Sequence, residues 1–336
     1  MSILQTVIIV VGLIVFEVVI SVDNAIINAH ILKSMTRMWR RRFLIFGIFT
    51  SVFMVRFLMP LFIVWISTSS LTSSEILQIY TGDSHFAAEK IEASKPFILM
   101  FGGIFLMYLY LHWLFLEKKN PLFVERYLNE KHGVWFFAFV AIILVVVMYL
   151  ARGNSNLMLA ASIGSAIFFI LYGFKENAEK KQRRMMKERG RSGFSKFLYL
   201  EVLDMTFSFD SVIGAFAFTT NLLLILIGIG VGAMVVRELT IVGIDRVTKY
   251  KWLKNGAMTS IGFLAFFMII EAFGMELPEY IPTLAMLFFV GIAFYKSHKF
   301  LEKLRSVEKA VKQEVRDVIP GAKGTQSIEE KPKGEV

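Results

Sequence analysis

Two short stretches of this sequence place acidic and amide side chains inside runs of apolar residues. The first is FEVVISVDNAI, at 16–26, and the second is LDMTFSFDSVI, at 203–213. A carboxylate in the apolar centre of a bilayer is costly unless it is paired, protonated or bound to a metal. The two stretches therefore predict one buried site that holds cations or protons.

The two stretches match each other position by position. They share an acid, a serine, an aspartate and a small polar residue, and the matched pairs are Glu17 and Asp204, Ser21 and Ser208, Asp23 and Asp210, and Asn24 and Ser211. A glycine and an arginine nine residues apart follow each copy, as Gly47 and Arg56 and as Gly228 and Arg237. The sequence therefore predicts an internal repeat.

The side chains of these motifs are oxygen ligands. The candidate metal ligands are the polar side chains of both copies together with one acid nearer the cytoplasmic face, namely Glu17, Ser21, Asp23, Asn24, Glu201, Asp204, Ser208, Asp210 and Ser211. With no cysteine in the chain, Ca²⁺, Mg²⁺ and Mn²⁺ fit this chemistry. Six acids against Arg56 and Arg237 in the predicted spans leave four formal negative charges, and we expect the two arginines to act as counter-ions.

A regular helix does not bring all of these ligands to one face. It places Glu17, Ser21, Asn24 and Asn28 in one row and turns Asp23 about 120° away from Glu17. We therefore expect a break near Ser21 to Asp23, which would bring the acids together and free backbone carbonyls as further ligands.

The elements that position the motifs are predicted to be membrane helices. The chain has 336 residues, of which 56% are hydrophobic, and a mean hydropathy of +0.60. Apolar runs of sufficient length predict an all-α, polytopic membrane protein with about nine spans, at 3–32, 43–67, 96–116, 134–151, 157–174, 198–220, 222–244, 256–274 and 282–300. The net charge of +10 lies mainly in loops, which favours membrane topology over nucleic-acid binding.

The loop charges alternate along the chain. The segments 33–42, 175–197 and 245–254 are basic, whereas 68–95 is rich in serine and threonine and net acidic. Because basic loops stay in the cytoplasm, we predict an external N-terminus and a cytoplasmic C-terminus, in the cell membrane.

The two motif copies lie on the first and sixth predicted spans, so an odd number of crossings separates them. They must then run in opposite directions, which is typical of inverted repeats in transporters. We predict a transport domain at 1–302, with repeat one at about 3–116 and repeat two at about 198–300. A cytoplasmic amphipathic helix and a disordered tail are predicted for 303–336.

At these motifs the chain resembles the TerC family of integral membrane proteins. EVVISVDN, from Glu17, is similar to the family's E-x-x-L-S-x-D-N, with Ile20 in place of leucine. FSFDS, from Phe207, is similar to its F-S-x-D-S, although Ile213 and Gly214 stand where the better-known branch has Pro-Ala. The resemblance extends to about residue 300 and implies metal-ion homeostasis, with Mn²⁺ efflux by an inverted-repeat cation exporter. The family name reflects tellurium resistance.

The predicted function is therefore export of a divalent cation, with Mn²⁺ as the first candidate, by alternating access coupled to protons. We expect no enzymatic activity and no cofactor; the expected partners are a divalent metal ion and membrane lipids, without nucleic acid. The alternatives are a Ca²⁺/cation exchanger and a non-transporting scaffold or insertion factor. An intramembrane aspartyl protease is disfavoured because the chain lacks its Gly-x-Gly-Asp element.

Overall fold

The computed structural model describes residues 2–33, 35–48, 55–67, 85–117, 119–123, 133–187, 193–240 and 249–318. Every regular element in these ranges is a helix, which confirms the predicted all-α class. The helices are α1 (Ile3–Ile20), α2 (Val22–Lys33), α3 (Arg37–Ile48), α4 (Arg56–Ser67), α5 (His85–Leu116), α6 (Gly133–Leu150), α7 (Ser155–Lys187), α8 (Gly193–Ala215), α9 (Leu222–Glu238), α10 (Leu253–Ala272) and α11 (Tyr280–Val318).

Six segments of the described helices are long and apolar enough to cross a membrane. They are Ile3–Ile20, Ile91–Leu116, Gly133–Leu150, Ser155–Asn177, Leu253–Ala272 and Tyr280–Val307. The predicted count of nine is not confirmed. The predicted span 43–67 includes parts of α3 and α4, with 49–54 outside the described residues. The span 198–220 corresponds to α8 with its three acids, and the span 222–244 to α9 with 17 residues.

The core is organised around α5, whose membrane segment is 72% buried. This helix packs against α7 and α10, while α1 packs along α9 and α10 packs on α11. Tyr108 and Trp113 of α5 are almost completely buried, and the Tyr108 hydroxyl donates to the carbonyl of Val140, 3.0 Å away. Since a buried hydroxyl needs a partner, this bond fixes α6 against α5.

The helix α6 presents most of its surface outward. Only 17% of it is buried, and the exposed fractions of Val134 and Val145 are 81% and 67%. Large apolar side chains on the outside of a helix of this length suit lipid rather than water. The fold is therefore that of a multi-pass membrane protein.

Three polar side chains cap the N-termini of helices. Ser2 caps α1 through the main-chain nitrogen of Gln5, at 3.3 Å. Asn154 accepts from the nitrogens of the first turn of α7, and Asn221 does the same for α9. Each cap satisfies donors that a helix start leaves open, and Asn154 and Asn221 lie in the gaps between predicted spans, where α7 and α9 begin.

Several predicted boundaries differ from the helices. The predicted loop 68–95 overlaps α5, which begins at His85, and the predicted basic loop 175–197 overlaps α7, which continues to Lys187. The last predicted span and the predicted amphipathic helix form one continuous helix, α11. Charged residues at a span end allow a helix to continue into water, so the hydropathy pattern predicts these helices shorter than they are. The predicted tail lies outside the described residues.

A polar contact at one end of the bundle ties α5 to α10. Lys254 donates to Oε2 of Glu117 at 2.5 Å, and Nδ1 of His112 lies 3.7 Å from Oε1 of the same carboxylate. Burial alone would raise the pKa of Glu117, but the imidazole of His112 and the hydrogen-bonded charge of Lys254 outweigh it and hold the pKa well below its usual range. The carboxylate therefore stays ionised at neutral pH.

Candidate functional site

A polar cavity lies between the helices that carry the two motif copies. Its volume is about 40 Å³. Its walls come from Ser21 between α1 and α2, from α2 to α4 and from α8 and α9. The lining residues are Ser21, Ala25, Asn28, Phe43, Arg56, Asp204, Ser208, Ala233, Val236, Arg237 and Thr240. We call it the central cavity.

Glu17 lies beside the central cavity in a buried ion pair. Its side chain is 0% exposed, and its Oε1 accepts a hydrogen bond from Nη2 of Arg56, which is itself 4% exposed. The hydroxyl of Ser21, one turn further along, donates to the same oxygen at 2.9 Å. Oε2 has no hydrogen-bond partner among the described residues. Arg56, which was predicted to be a counter-ion, thus pairs with Glu17.

A glycine brings α9 against Glu17. A Cβ atom at Gly232 would lie 2.6 Å from Cβ and 2.8 Å from Cγ of Glu17, which is closer than packed carbon atoms come. Only glycine therefore allows this approach between α1 and α9. The contact keeps Glu17 covered and holds its carboxylate towards Arg56.

Asp204 and Asn28 face each other across the central cavity. Nδ2 of Asn28 donates to Oδ1 of Asp204 over a long 3.4 Å. Asn28 is only 7% exposed, and its Oδ1 has no hydrogen-bond partner in the described part of the chain. A buried amide oxygen without a donor is costly, and a cation beside Asp204 would satisfy it. Ser208, one turn after Asp204, lines the same wall.

Arg237 enters the central cavity from α9. Its Nη2 donates to the main-chain carbonyl of Phe43, and its guanidinium carbon lies 4.8 Å from the centre of the Phe43 ring. Asp204 and Glu201 both act on it electrostatically. Glu201 is 6% exposed, and a Cβ at Gly47 would meet both its Oε1 and the Arg237 guanidinium. Glu201 therefore lies next to the cavity, behind Arg237.

Asp210 and Ser211 do not join this group. Oδ2 of Asp210 lies 4.0 Å from Nζ of Lys175 on α7, and neither Asp210 nor Ser211 lines the central cavity. The Ser211 hydroxyl donates to the carbonyl of Ser208 at 2.9 Å. Six residues along a helix correspond to about 9 Å of rise and about 240° of rotation, so α8 turns Asp210 away from the wall that Asp204 occupies. Asp210, although predicted to be a metal ligand, is therefore placed outside the group of residues that line the central cavity.

The predicted break in the first span is reduced to one residue. The chain leaves regular helix only at Ser21, whose φ and ψ are −89° and −1°. The nitrogen of Ser21 still donates to the carbonyl of Glu17 at 3.1 Å, and the nitrogen of Ala25 donates to the carbonyl of Ser21 at 2.9 Å. These two carbonyls are therefore occupied. The backbones of Asp23 and Asn24 lie in α2, and their side chains are outside the described part of the structure.

Sequence reasoning missed Asn28 and Thr240 as residues of the cavity wall. Asn28 had a signal, because it continues the row of Glu17, Ser21 and Asn24 at helical spacing. No sequence pattern indicates Thr240, because it follows α9 and lines the cavity only as a result of tertiary packing. Among the described side chains, no three His, Asp or Glu residues cluster closely enough to hold a metal alone. A cation here would need amide and hydroxyl ligands as well.

Comparisons with known proteins agree with a membrane protein. A family described as "Protein of unknown function (DUF475)" matches residues 22–302. The "Uncharacterized membrane protein YceF" of Bacillus subtilis (strain 168) is 34% identical over 80 residues, which are 24% of this chain and 31% of that protein. The match thus spans less than a third of the relative's length. No solved structure matches the chain.

Proposed function

Since the match over residues 22–302 makes this chain a member of the DUF475 family, whose function its description leaves open, we propose a function from the central cavity. The protein carries a divalent metal cation across the cell membrane, with Mn²⁺ as the first candidate. It exports the ion by alternating access, coupled to protons. The resemblance to the TerC family favours the same cargo.

The observation that carries the proposal is the polar wall shared by both motif copies. Ser21 and Asn28 come from the first copy and its helix, while Asp204 and Ser208 come from the second. A cavity with a carboxylate, an amide and three hydroxyls, those of Ser21, Ser208 and Thr240, offers oxygen ligands only. Such ligands suit Mn²⁺, Mg²⁺ and Ca²⁺ rather than softer ions.

The charges around the central cavity fit one divalent ion. Of the described side chains in or next to it, Glu17, Glu201 and Asp204 oppose Arg56 and Arg237, which leaves one formal negative charge. Asp23, two residues after Ser21 on α2, carries a second by its residue type. Because uncompensated charge in a membrane interior is costly, a bound M²⁺ or protons on the acids would balance the site. Because the metal ion and protons neutralise the same acids, binding of one favours release of the other.

An inverted repeat would give the protein its two access states. Gly47 lies against Glu201, and Gly228 lies against Leu13. Gly47 on α3 therefore packs on α8, which carries the second motif copy, and Gly228 on α9 packs on α1, which carries the first. This correspondence supports a pseudo-twofold relation, with the site where the halves meet. One half would rock against the other, in a nine-span topology with an external N-terminus and a cytoplasmic C-terminus.

Flux measurements on purified protein test the proposal. Wild type and Asp204→Asn are reconstituted into liposomes that contain a fluorophore quenched by Mn²⁺. We expect Asp204→Asn to reduce Mn²⁺ flux at least about tenfold, because even residues that only support metal ligands contribute 10- to 100-fold. Glu238→Gln is the matched control, since Glu238 is an exposed acid on α9 outside the cavity wall, and its flux should equal that of wild type.

Two results would contradict the proposal. Equal flux in wild type and Asp204→Asn would remove the central cavity as the ion site. Folded wild type without flux above protein-free liposomes would instead favour the non-transporting scaffold.

A further inference from the structure

The two arginines of the central cavity are held in different ways. Arg56 is buried in an ion pair with Glu17. Arg237 is partly exposed, its described hydrogen bond goes to the neutral carbonyl of Phe43, and its Nε has no partner in the described residues. Arginine stays charged in proteins, so Arg237 brings a full positive charge into the wall of a cavity that contains Asp204.

A specific resting place holds Arg237 at α3. Its guanidinium lies over the Phe43 ring at 4.8 Å and bonds the Phe43 carbonyl. One turn later, Gly47 provides the space, because a Cβ there would collide with the guanidinium. A cation over an aromatic face is attracted to it, but more weakly than to a desolvated carboxylate. The resting place is therefore one that Arg237 can leave.

Asp204 is the carboxylate that Arg237 would reach on leaving. Asp204 acts electrostatically on Arg237 already, and its described hydrogen bond is the long one from Asn28. Both side chains line the same cavity. A metal ion and the guanidinium would thus compete for one carboxylate.

We propose that Arg237 is a built-in competitor of the transported cation, exchanging between the resting place at Phe43 and Gly47 and the carboxylate of Asp204. The divalent ion binds while Arg237 is at rest, and Arg237 neutralises Asp204 when the ion leaves. This inference rests on the proposed function and names the regulation of its site. The apparent metal affinity then decreases as the fraction of molecules in which Arg237 pairs with Asp204 increases.

Equilibrium binding of Mn²⁺ to the full-length protein in detergent tests the inference. Arg237→Gln removes the competitor, and we expect its Kd to be about tenfold lower than that of wild type, within the range of 5- to 150-fold usual for coupled sites. Arg237→Lys keeps the charge and should not lower the Kd. Gly47→Ala keeps Arg237 but fills its resting place, and we expect a higher Kd. A defect in folding alone does not tighten binding.

The outcomes separate this inference from the proposed function. Wild type that is folded and binds no Mn²⁺ contradicts the proposed function and, with it, the competitor. Wild type that binds, with Arg237→Gln equal to it or weaker, overturns the competitor alone. If Arg237→Gln does not fold, Gly47→Ala decides, and an unchanged or lower Kd in that variant overturns the inference.

Discussion

The ion pair of Glu17 and Arg56 should be one of the strongest polar couplings in the protein. Its side chains are 0% and 4% exposed, so Arg56→Met leaves a carboxylate charged and buried. Removing one partner of a buried pair costs about 3–5 kcal/mol of unfolding free energy. We expect about 4 kcal/mol, because Oε2 of Glu17 has no other donor among the described residues and Ser21 can satisfy only one oxygen.

A double-mutant cycle isolates this coupling. Glu17→Gln, Arg56→Met and their combination are unfolded reversibly by titration with sodium dodecyl sulfate and followed by circular dichroism. The double variant buries no charge, so it should be more stable than Arg56→Met, with a coupling energy of at least about 2 kcal/mol.

The pair of Lys95 and Glu271 provides the control. It joins α5 to α10 at 2.9 Å, but its side chains are 29% and 16% exposed. A partly solvated pair of this kind contributes about 1 kcal/mol or less. A coupling of Glu17 and Arg56 no larger than that of the control pair would refute the reasoning.

Two further predictions concern packing and pH. Gly232→Ala should lower the unfolding free energy by about 1–3 kcal/mol, because its Cβ overlaps Glu17, whereas Gly291→Ala, which meets nothing within 4 Å, should not; equal stability of the two would contradict the close approach. The pKa of Glu117 is lower in the folded protein than the ordinary carboxyl pKa of about 4.3. The contact of Glu117 with Lys254 therefore stabilises the fold fully at pH values above about 4.3, and this stabilisation is lost progressively as the pH falls from there towards the lowered pKa. Acid titration should therefore destabilise wild type more steeply than Glu117→Gln, and parallel curves would exclude the contact as the cause.

Local sequence signals predicted much of the fold. Apolar runs identified α1, α5, α6, α7, α10 and α11, because helix formation in a membrane depends mainly on hydropathy along the chain. Asn154 and Asn221 mark helix starts through contacts only two or three residues away. The rarity of acids in apolar runs likewise singled out Glu17 and Asp204, which lie beside and in the central cavity.

The composition of the site was harder to predict, because it depends on how each helix is rotated. The motif alignment treated Asp204 and Asp210 alike, yet packing of α8 against α7 brings Asp210 to Lys175. No local pattern shows that contact, since Lys175 reads as a basic residue of a loop. Arg237 reaches Phe43 only because α3 and α9 meet at Gly47, and long-range contacts of that kind leave no periodic signal.

The location of bound metal tests the central claim most directly. Anomalous diffraction at the manganese absorption edge, from crystals grown with Mn²⁺, would locate the ion without reference to activity. The account predicts one strong peak in the central cavity, about 2.0–2.6 Å from an oxygen of Asp204 and in reach of Oδ1 of Asn28, and no such peak in Asp204→Asn. A peak elsewhere in wild type, or an empty central cavity at saturating Mn²⁺, would contradict it.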